Sequence, residues 1–280
     1  MDEMDERKQR VSLVRGLAER LEKFLAGLPD EAWSRPSACD LLEVRDVVAH
    51  LTGGAERQIE GMARGRRGDA ARPPGFVPMD VAALSASNAR RDIALRERLG
   101  DKLLSEFAAQ YGRLGELLAQ FGPQDWDKLC WHARRGAMPA REYVDLRIQE
   151  LAVHDWDIRS AIELQAHLAP ESTRVLVDMT PAWLDMSFRP GTKLASPVVY
   201  RFQVVGTAPS RHDVVVQGDA FHVAPESKSR ANVTVRSDSE TYLLFLYGRL
   251  GANAAAAAGR LTIEGDPGLV KQFEQWFKGL

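Results

Sequence analysis

The spacing of apolar residues changes character once along the chain, and this change constrains the fold more than any other feature. Before Pro170, apolar residues recur every three or four positions, as they do on one face of an amphipathic helix. After it come β-branched runs such as VVYRFQVV (198–205) and DVVV (213–216), which are typical of strands. We therefore expect an α+β protein with a helical domain over 1–169 and a small α+β domain with an antiparallel sheet over 170–280.

The periodic positions and the Gly and Pro breaks between them predict the elements of both domains. In the first domain, helices are expected at about 6–28, 42–64, 81–98, 101–121 and 139–164. The segments 65–78 and 122–138 are expected to be loops. In the second domain, we expect helices at 172–186, 239–250 and 267–277, and strands at 198–205, 213–216, 221–223, 231–235 and 261–263. Long helices joined by such connections describe an antiparallel helical bundle.

Composition and charge exclude several classes of protein. Lys and Arg number 37 against 39 Asp and Glu, so the net charge is −2, which argues against nucleic acid as a partner. No run of about 18 apolar residues occurs, so no membrane span is expected. The charged N-terminus lacks the apolar core of a secretory signal, and two cysteines cannot form a disulfide framework. We expect a soluble cytoplasmic protein whose oligomeric state the sequence leaves open.

A carboxylate and an imidazole lie four residues apart in the last bundle helix. Glu150 and His154 in RIQELAVHDWDI leave the same helical face one turn apart, a common way to hold a divalent metal. Their face also carries apolar residues, so the pair points inward, and a buried Glu needs a partner. That partner is either a metal ion or Arg147.

His50, in LEVRDVVAHLTGG, is the second candidate ligand. A lone histidine on an apolar helix face is more often a satisfied core residue than a metal ligand. Asp157, three residues after His154, could accept the other ring N–H of a ligand histidine, or it could be an exposed helix carboxylate or the partner of an arginine. Neither His50 nor Asp157 alone indicates whether the chain binds a metal.

The two segments together resemble the mycothiol-dependent maleylpyruvate isomerase family, within the DinB-like superfamily of four-helix bundles. The resemblance rests on VRDVVAHL, followed about 100 residues later by R-x-x-E-L-x-V-H-x-W-D-I. It extends back through a P-S-x-C lead-in that begins at Pro36. It extends forward to Gly248-Arg249, which match the Gly-Arg of a sterol-carrier-like C-terminal domain.

The resemblance implies a metal bound by His50, Glu150 and His154, with zinc as the preferred ion and at least one coordination position open. It also implies a low-molecular-weight thiol, mycothiol or a similar one, and a catalytic role for Arg249 in holding the anionic substrate or thiol. The implied activity is cis–trans isomerisation of a small electrophilic substrate, in which a thiolate adds to a double bond and is later eliminated. Two alternatives stay open: a thiol S-transferase acting in detoxification on the same site, and a non-catalytic small-molecule or lipid carrier with a vestigial metal site.

The chain departs from the family pattern just before the first motif. The family usually has Gly-Trp there, whereas this chain has Leu41-Leu42. The loss of the aromatic ring should not affect the metal ligands, but it changes the expected shape of the pocket and leaves the identity of the thiol open.

Overall fold

A computed structural model describes residues 3–79, 81–191 and 194–278. The chain divides into two compact units, Met1–Ser172 and Thr173–Leu280. The first unit is helical and the second combines helices with a sheet, so the predicted fold class is confirmed. The predicted domain bounds, 1–169 and 170–280, stay a prediction about independent folding.

Among its described residues, the first unit contains five long helices and a short hairpin. The elements are α1 (Glu3–Ala26), α2 (Val44–Arg66), α3 (Val81–Leu99), α4 (Leu103–Ala119), β1 (Leu129–His132), β2 (Gly136–Pro139) and α5 (Ala140–Ser160). Four single 3-10 turns also occur, at Asp30–Ser34, Gly100–Lys102, Pro123–Asp125 and Pro170–Ser172. Helix α2 begins at a capping box, in which the backbone N–H of Glu43 donates to Asp46 Oδ2 at 3.0 Å.

Helices α1, α2, α4 and α5 form the bundle. Helix α1 packs against α4 and α5, and α2 packs against the same two helices, while α3 lies on α2. Ion pairs of α1 with α5, such as Arg20 with Asp155 at 3.2 Å, show that these two helices run in the same direction. Helix α2 runs opposite to α5, because Gln58 near the end of α2 donates to the carbonyl oxygen of Tyr143 near the start of α5.

The segment predicted as a loop between α4 and α5 instead contains the antiparallel hairpin of β1 and β2. The hairpin packs on α2 at Gly65, where a Cβ atom would collide with the carbonyl oxygen of Leu129 and with the sulfur of Cys130. A hairpin of four-residue strands has too few alternating positions to give a strand signal. The loop prediction was therefore wrong for 129–132 and 136–139.

In the part of the second unit that the structure describes, a five-stranded sheet is accompanied by five helices. The elements are α6 (Thr173–Asp178), α7 (Thr180–Ser187), β3 (Val198–Val205), β4 (Ser210–Gln217), β5 (Ala220–Pro225), β6 (Val233–Asp238), α8 (Ser239–Leu246), α9 (Ala252–Ala257), β7 (Leu261–Gly265) and α10 (Pro267–Trp276). The strand order is β5-β4-β3-β6-β7. Adjacent strands are antiparallel except β3 and β6, which pair in parallel across the β4–β5 hairpin.

Aromatic rings fill the core of the second unit between the sheet and its helices. Phe202 on β3 lies 5.2 Å from Phe273 and 5.5 Å from Tyr242, measured between ring centroids. Phe273 in turn lies 4.4 Å from Phe277. Ring pairs at these separations are in van der Waals contact, so they occupy the interior of this unit.

No helix within the described parts of the chain combines the length and the apolar character needed to cross a membrane.

Candidate metal centre

Three side chains converge between α2 and α5. Nε2 of His50 lies 2.9 Å from Oε2 of Glu150, and Nε2 of His154 lies 3.7 Å from the same oxygen. One donor atom from each residue lies within 4.8 Å of the others. The three side chains remain open to solvent, with exposed fractions of 18%, 36% and 16% in the order His50, Glu150 and His154. Two imidazoles and a carboxylate are a donor set that suits zinc and related divalent ions.

The helices explain why these donors meet. Glu150 and His154 are one turn apart on α5, and α2 brings His50 to the same level because the two helices are antiparallel neighbours. The imidazole rings of His50 and His154 are 4.9 Å apart between centroids and inclined by 73°, so they contact each other edge to face.

A buried carboxylate contacts the second ring nitrogen of each histidine. Nδ1 of His50 lies 2.8 Å from Oδ2 of Asp92 on α3, and Nδ1 of His154 lies 2.9 Å from Oδ2 of Asp157. The side chains of Asp92 and Asp157 are only 1% and 0% exposed. Each carboxylate orients its imidazole so that Nε2 points to the shared space, an arrangement common behind histidine ligands of metals. The possibility that Asp157 is an exposed carboxylate was wrong.

Asp92 could not be identified from the sequence. It lies 42 residues from His50, in a helix that carries several other charged residues, and no local pattern distinguishes it from them.

The pKa values of the three donors follow from these contacts. Burial acts to lower the pKa of His50, but hydrogen bonds to Asp92 and Glu150 outweigh it and raise the pKa from 6.5 to about 9. Burial also acts to lower the pKa of His154, but its neighbours Cys39 and Asp157 outweigh this effect and raise the pKa from 6.5 to about 9. Burial tends to raise the pKa of Glu150, but its hydrogen bond to His50 and nearby positive charges hold the pKa well below 4.5. Without an ion, the donor set therefore carries two imidazolium groups and one carboxylate at neutral pH.

Cys39 forms part of the surroundings of His154. Its sulfur donates to Oδ2 of Asp157 at 3.1 Å and lies 3.5 Å from Nδ1 of His154. These contacts could not be predicted from local sequence, because they bridge more than 100 residues. They tie the segment before α2 to α5, on the side of His154 away from Glu150.

The other residues considered from sequence hydrogen-bond to groups other than the three donors. Arg147, the alternative partner of Glu150, donates through Nε to Oε1 of Gln58 at 2.7 Å, and its Nη1 lies 3.5 Å from the hydroxyl of Tyr111. Arg249 belongs to the second unit and follows α8, where its Nη1 donates to the carbonyl oxygen of Tyr247 at 2.9 Å. Its catalytic role stays a prediction.

The turn before α2 adopts an unusual backbone conformation at Leu41, where the family pattern has Gly. Leu41 has φ = 71°, in the left-handed region that L-residues with a Cβ rarely adopt. Its side chain is 78% exposed. The turn lines an open hollow of about 290 Å³, whose lining residues include Cys39 and Glu43. The departure from Gly-Trp thus leaves a strained turn and a surface hollow beside Cys39.

Comparison with known proteins assigns both units. Residues 14–159 match the family model for the mycothiol maleylpyruvate isomerase N-terminal domain, and residues 194–278 match the SCP-2 sterol transfer family. The fold resembles the crystal structure of the mycothiol-dependent maleylpyruvate isomerase, with a TM-score of 0.63 and 16% identity over 90% of this chain and 94% of that one. A single-site mutant of that enzyme gives a TM-score of 0.64 and 15% identity over 94% of this chain and 96% of the other. No curated protein matches the chain by sequence.

The fold and the candidate site define a class: a DinB-like helical bundle with a histidine–carboxylate donor set, followed by a sterol-carrier-type α+β domain. Because the first family model covers 14–159, more than half of the 280 residues, the chain belongs to the mycothiol-dependent maleylpyruvate isomerase family. At 15–16% identity, the likeness to the solved structures concerns the fold alone.

Proposed function

We propose that the protein is a metal-dependent enzyme that uses a low-molecular-weight thiol to isomerise a small electrophilic substrate. The observation that carries this proposal is the convergence of His50, Glu150 and His154, with a buried carboxylate behind each imidazole. Family membership supports the thiol and the isomerisation, since the related enzyme is described as a mycothiol-dependent maleylpyruvate isomerase.

The three donors fit a divalent cation in their chemistry. Glu150 is ionised at neutral pH, and both histidines can offer Nε2 once they lose a proton, because Nδ1 of each is already held by a carboxylate. Three protein ligands leave coordination positions for small molecules, as in catalytic rather than structural sites. When bound, a divalent ion such as zinc supplies positive charge that lowers the pKa of a thiol beside it.

The residues of the chain have distinct parts in this proposal. His50, Glu150 and His154 hold the ion, and Asp92 and Asp157 hold the two imidazoles in orientation. Arg249 would bind a carboxylate of the substrate or the thiol through its guanidinium. We also propose a cytoplasmic location, where a small-molecule thiol stays reduced.

The first experiment is elemental analysis of the purified protein, followed by an assay of maleylpyruvate isomerisation with mycothiol and with other small thiols. We expect about one divalent ion per chain and activity that requires both the ion and a thiol. His154→Ala should lose the ion and the activity while its helical circular dichroism stays close to that of the wild type, because apolar faces hold the bundle together. Protein purified without chelator that contains no divalent ion and binds none on titration would contradict the proposal.

Product analysis separates isomerisation from S-transfer. An isomerase returns the free thiol after each turnover, so its thiol concentration stays constant while the substrate changes geometry. An S-transferase leaves the thiol attached to the product and consumes it mole for mole. A stable conjugate formed in stoichiometric amount would reassign the reaction to transfer on the same donor set.

The carrier alternative receives less support from the second unit. Its core is occupied by contacting aromatic rings such as Phe202, Phe245 and Phe273, with centroids 5.2–6.3 Å apart. A lipid would have to displace these rings, at the cost of their packing. We expect no saturable binding of a fluorescent fatty acid. Saturable binding at one site per chain would favour the carrier alternative.

A further inference from the structure

Arg147 on α5 has unused hydrogen-bonding capacity in a buried position. It lies one turn before Glu150 and is only 5% exposed. Nε donates to Gln58 Oε1 at 2.7 Å, while Nη1 reaches the hydroxyl of Tyr111 only at 3.5 Å. Within residues 3–79, 81–191 and 194–278, Nη2 forms no hydrogen bond. Buried guanidinium groups are normally fully paired, so this face of Arg147 is available for a ligand.

Two consecutive glycines of α2 make room for guanidinium groups. A Cβ at Gly54 would lie 2.8 Å from Nη1 and 3.1 Å from Nη2 of Arg147. A Cβ at Gly53 would lie 3.0 Å from Nη1 of Arg57. Two guanidinium groups therefore lie directly against the backbone of α2, one from α5 and one from the next turn of α2 itself.

Arg57 lies in a strongly positive environment. Burial and the like charges of Arg91 and Arg147 lower its pKa to about 10, and Asp92 offsets this only in part. In the described part of the chain, Arg57 forms no hydrogen bond or ion pair, whereas Arg91 is already paired with Asp92 at 2.9 Å. Glu150 supplies one negative charge close to Arg147, and Asp92 is shared by Arg57, Arg91 and His50. A bound anion would relieve the repulsion that remains between the arginines.

The arginines lie along the same helix faces as the candidate metal ligands. On α2, His50, Gly54 and Arg57 follow one another at helical spacings of four and three residues. On the antiparallel α5, His154, Glu150 and Arg147 do the same in reverse. The arginines therefore lie one to two turns, roughly 5–10 Å, from the donor atoms. A molecule of a few carbon atoms spans that distance.

We propose that Arg57 and Arg147 form a binding site for the carboxylate of a small anionic ligand beside the candidate metal centre. Resting on the proposed function, we assign this carboxylate to the electrophilic substrate, whose reacting carbons then lie towards His50 and Glu150. Guanidinium groups bind carboxylates through paired N–H donors, which suits the unused side of Arg147.

The test measures anion binding by the metal-free protein, so that neither metal nor thiol is needed. Succinate is titrated into the wild type and into Arg57→Gln by calorimetry, with the uncharged dimethyl succinate as the second probe. We expect saturable binding of succinate to the wild type, at least a tenfold weaker affinity in Arg57→Gln, and no binding of the diester. Arg90→Gln is the matched control, because it removes the same charge from an exposed position of α3 and should bind succinate as the wild type does.

Equal succinate affinity in the wild type and Arg57→Gln, or equal binding of the diester, would overturn the inference. Arg147→Lys is the second variant, since it keeps the charge but loses the paired donors. We expect it to remain folded by circular dichroism and to bind succinate more weakly. If it does not fold, Arg57→Gln decides alone.

Activity measurements distinguish a failure of this inference from a failure of the proposed function. The KM values then show whether the bound carboxylate belongs to the substrate or to the thiol. If the protein binds succinate through Arg57 but has no isomerase activity, the carboxylate site is supported. Only the assignment of the carboxylate to an isomerase substrate is then withdrawn. In an active enzyme, Arg57→Gln should raise KM for the anionic electrophile and leave KM for the thiol unchanged. A rise confined to the KM of the thiol would overturn the assignment to the substrate.

Discussion

At the scale of single residues, the candidate metal centre depends on two buried carboxylates that lie behind the histidines. Asp92 and Asp157 each accept from Nδ1 of one imidazole, at 2.8 and 2.9 Å. Both carboxylates are inaccessible to solvent, so their hydrogen bonds are not weakened by competing water. They fix the tautomer and the ring orientation that a metal ligand needs.

We expect Asp92→Asn to weaken metal binding on the order of 10–100-fold, because the amide no longer fixes the Nδ1–H tautomer of His50. A competition titration with a chromogenic chelator measures the change. Asp101→Asn is the control, since Asp101 is exposed in the turn between α3 and α4 and should leave the affinity unchanged. An unaltered affinity in Asp92→Asn would show that Asp92 has no part in orienting the ligand.

The raised pKa values of the histidines predict pH-dependent metal binding. His50 and His154 both have pKa values of about 9, so at neutral pH an ion must displace two protons. The affinity should rise with pH by up to about 100-fold per unit below pH 9. Titrations at several pH values between about 6 and 8 measure this slope, and a pH-independent affinity would contradict the coupling.

The same shifts determine the stability of the metal-free protein. Because the folded-state pKa values exceed 6.5, protonation stabilises the fold fully below pH 6.5, and this contribution is lost as the pH rises through 9. The melting temperature of the metal-free protein should therefore fall between pH 6.5 and 9. The metal-loaded protein should not show this fall, because the ion replaces the protons.

At the scale of secondary-structure elements, antiparallel packing of α2 and α5 determines which residues meet. It aligns His50 with Glu150 and His154 at one level, and Gly54 with Arg147 at the next. The segment before α2 adds Cys39 from the other side of His154. This segment turns sharply at Leu41, which adopts a left-handed backbone conformation that is unfavourable for a residue with a Cβ.

We expect Leu41→Gly to stabilise the protein by about 0.5–1 kcal/mol. The substitution removes the cost of holding a residue with a Cβ in the left-handed region, about 1–2 kcal/mol. Glycine also increases the conformational entropy of the unfolded chain, and this offsets part of the gain. Leu164→Gly is the control, because Leu164 is also exposed but has a negative φ, and it should be neutral or destabilising. Urea unfolding measures both, and a loss of stability in Leu41→Gly would mean that its side chain makes a favourable contact.

At the scale of the whole molecule, the spacing of apolar residues predicted the order of helices and strands. It could not predict contacts between residues that are distant in the sequence. The change in spacing at Pro170 predicted the helical bundle and the sheet domain, because local burial patterns determine both. Residues one turn apart, such as Glu150 and His154, could be paired from sequence. Asp92 and the hairpin at 129–139 could not, since their roles depend on packing against distant elements.

The proposed domain division predicts that residues 1–169 fold without the rest of the chain. All the candidate ligands and both supporting carboxylates lie within this range. We therefore expect the fragment to bind one divalent ion with the affinity of the full chain and to show no isomerase activity, because it lacks Arg249. Calorimetry and circular dichroism test both points. A fragment that is unfolded even with the ion present would refute the division at 169.

The orientation of the two imidazoles by buried carboxylates has a consequence for ion selectivity. The oriented imidazoles and Glu150 occupy only three coordination positions and leave the rest of the geometry to the ion, so affinities should follow the general order Mn²⁺ < Fe²⁺ < Co²⁺ < Ni²⁺ < Cu²⁺ > Zn²⁺. Under that order, the supply of each ion in the cell decides which one occupies the protein. A change in metal supply would then exchange the ion without any change in the chain.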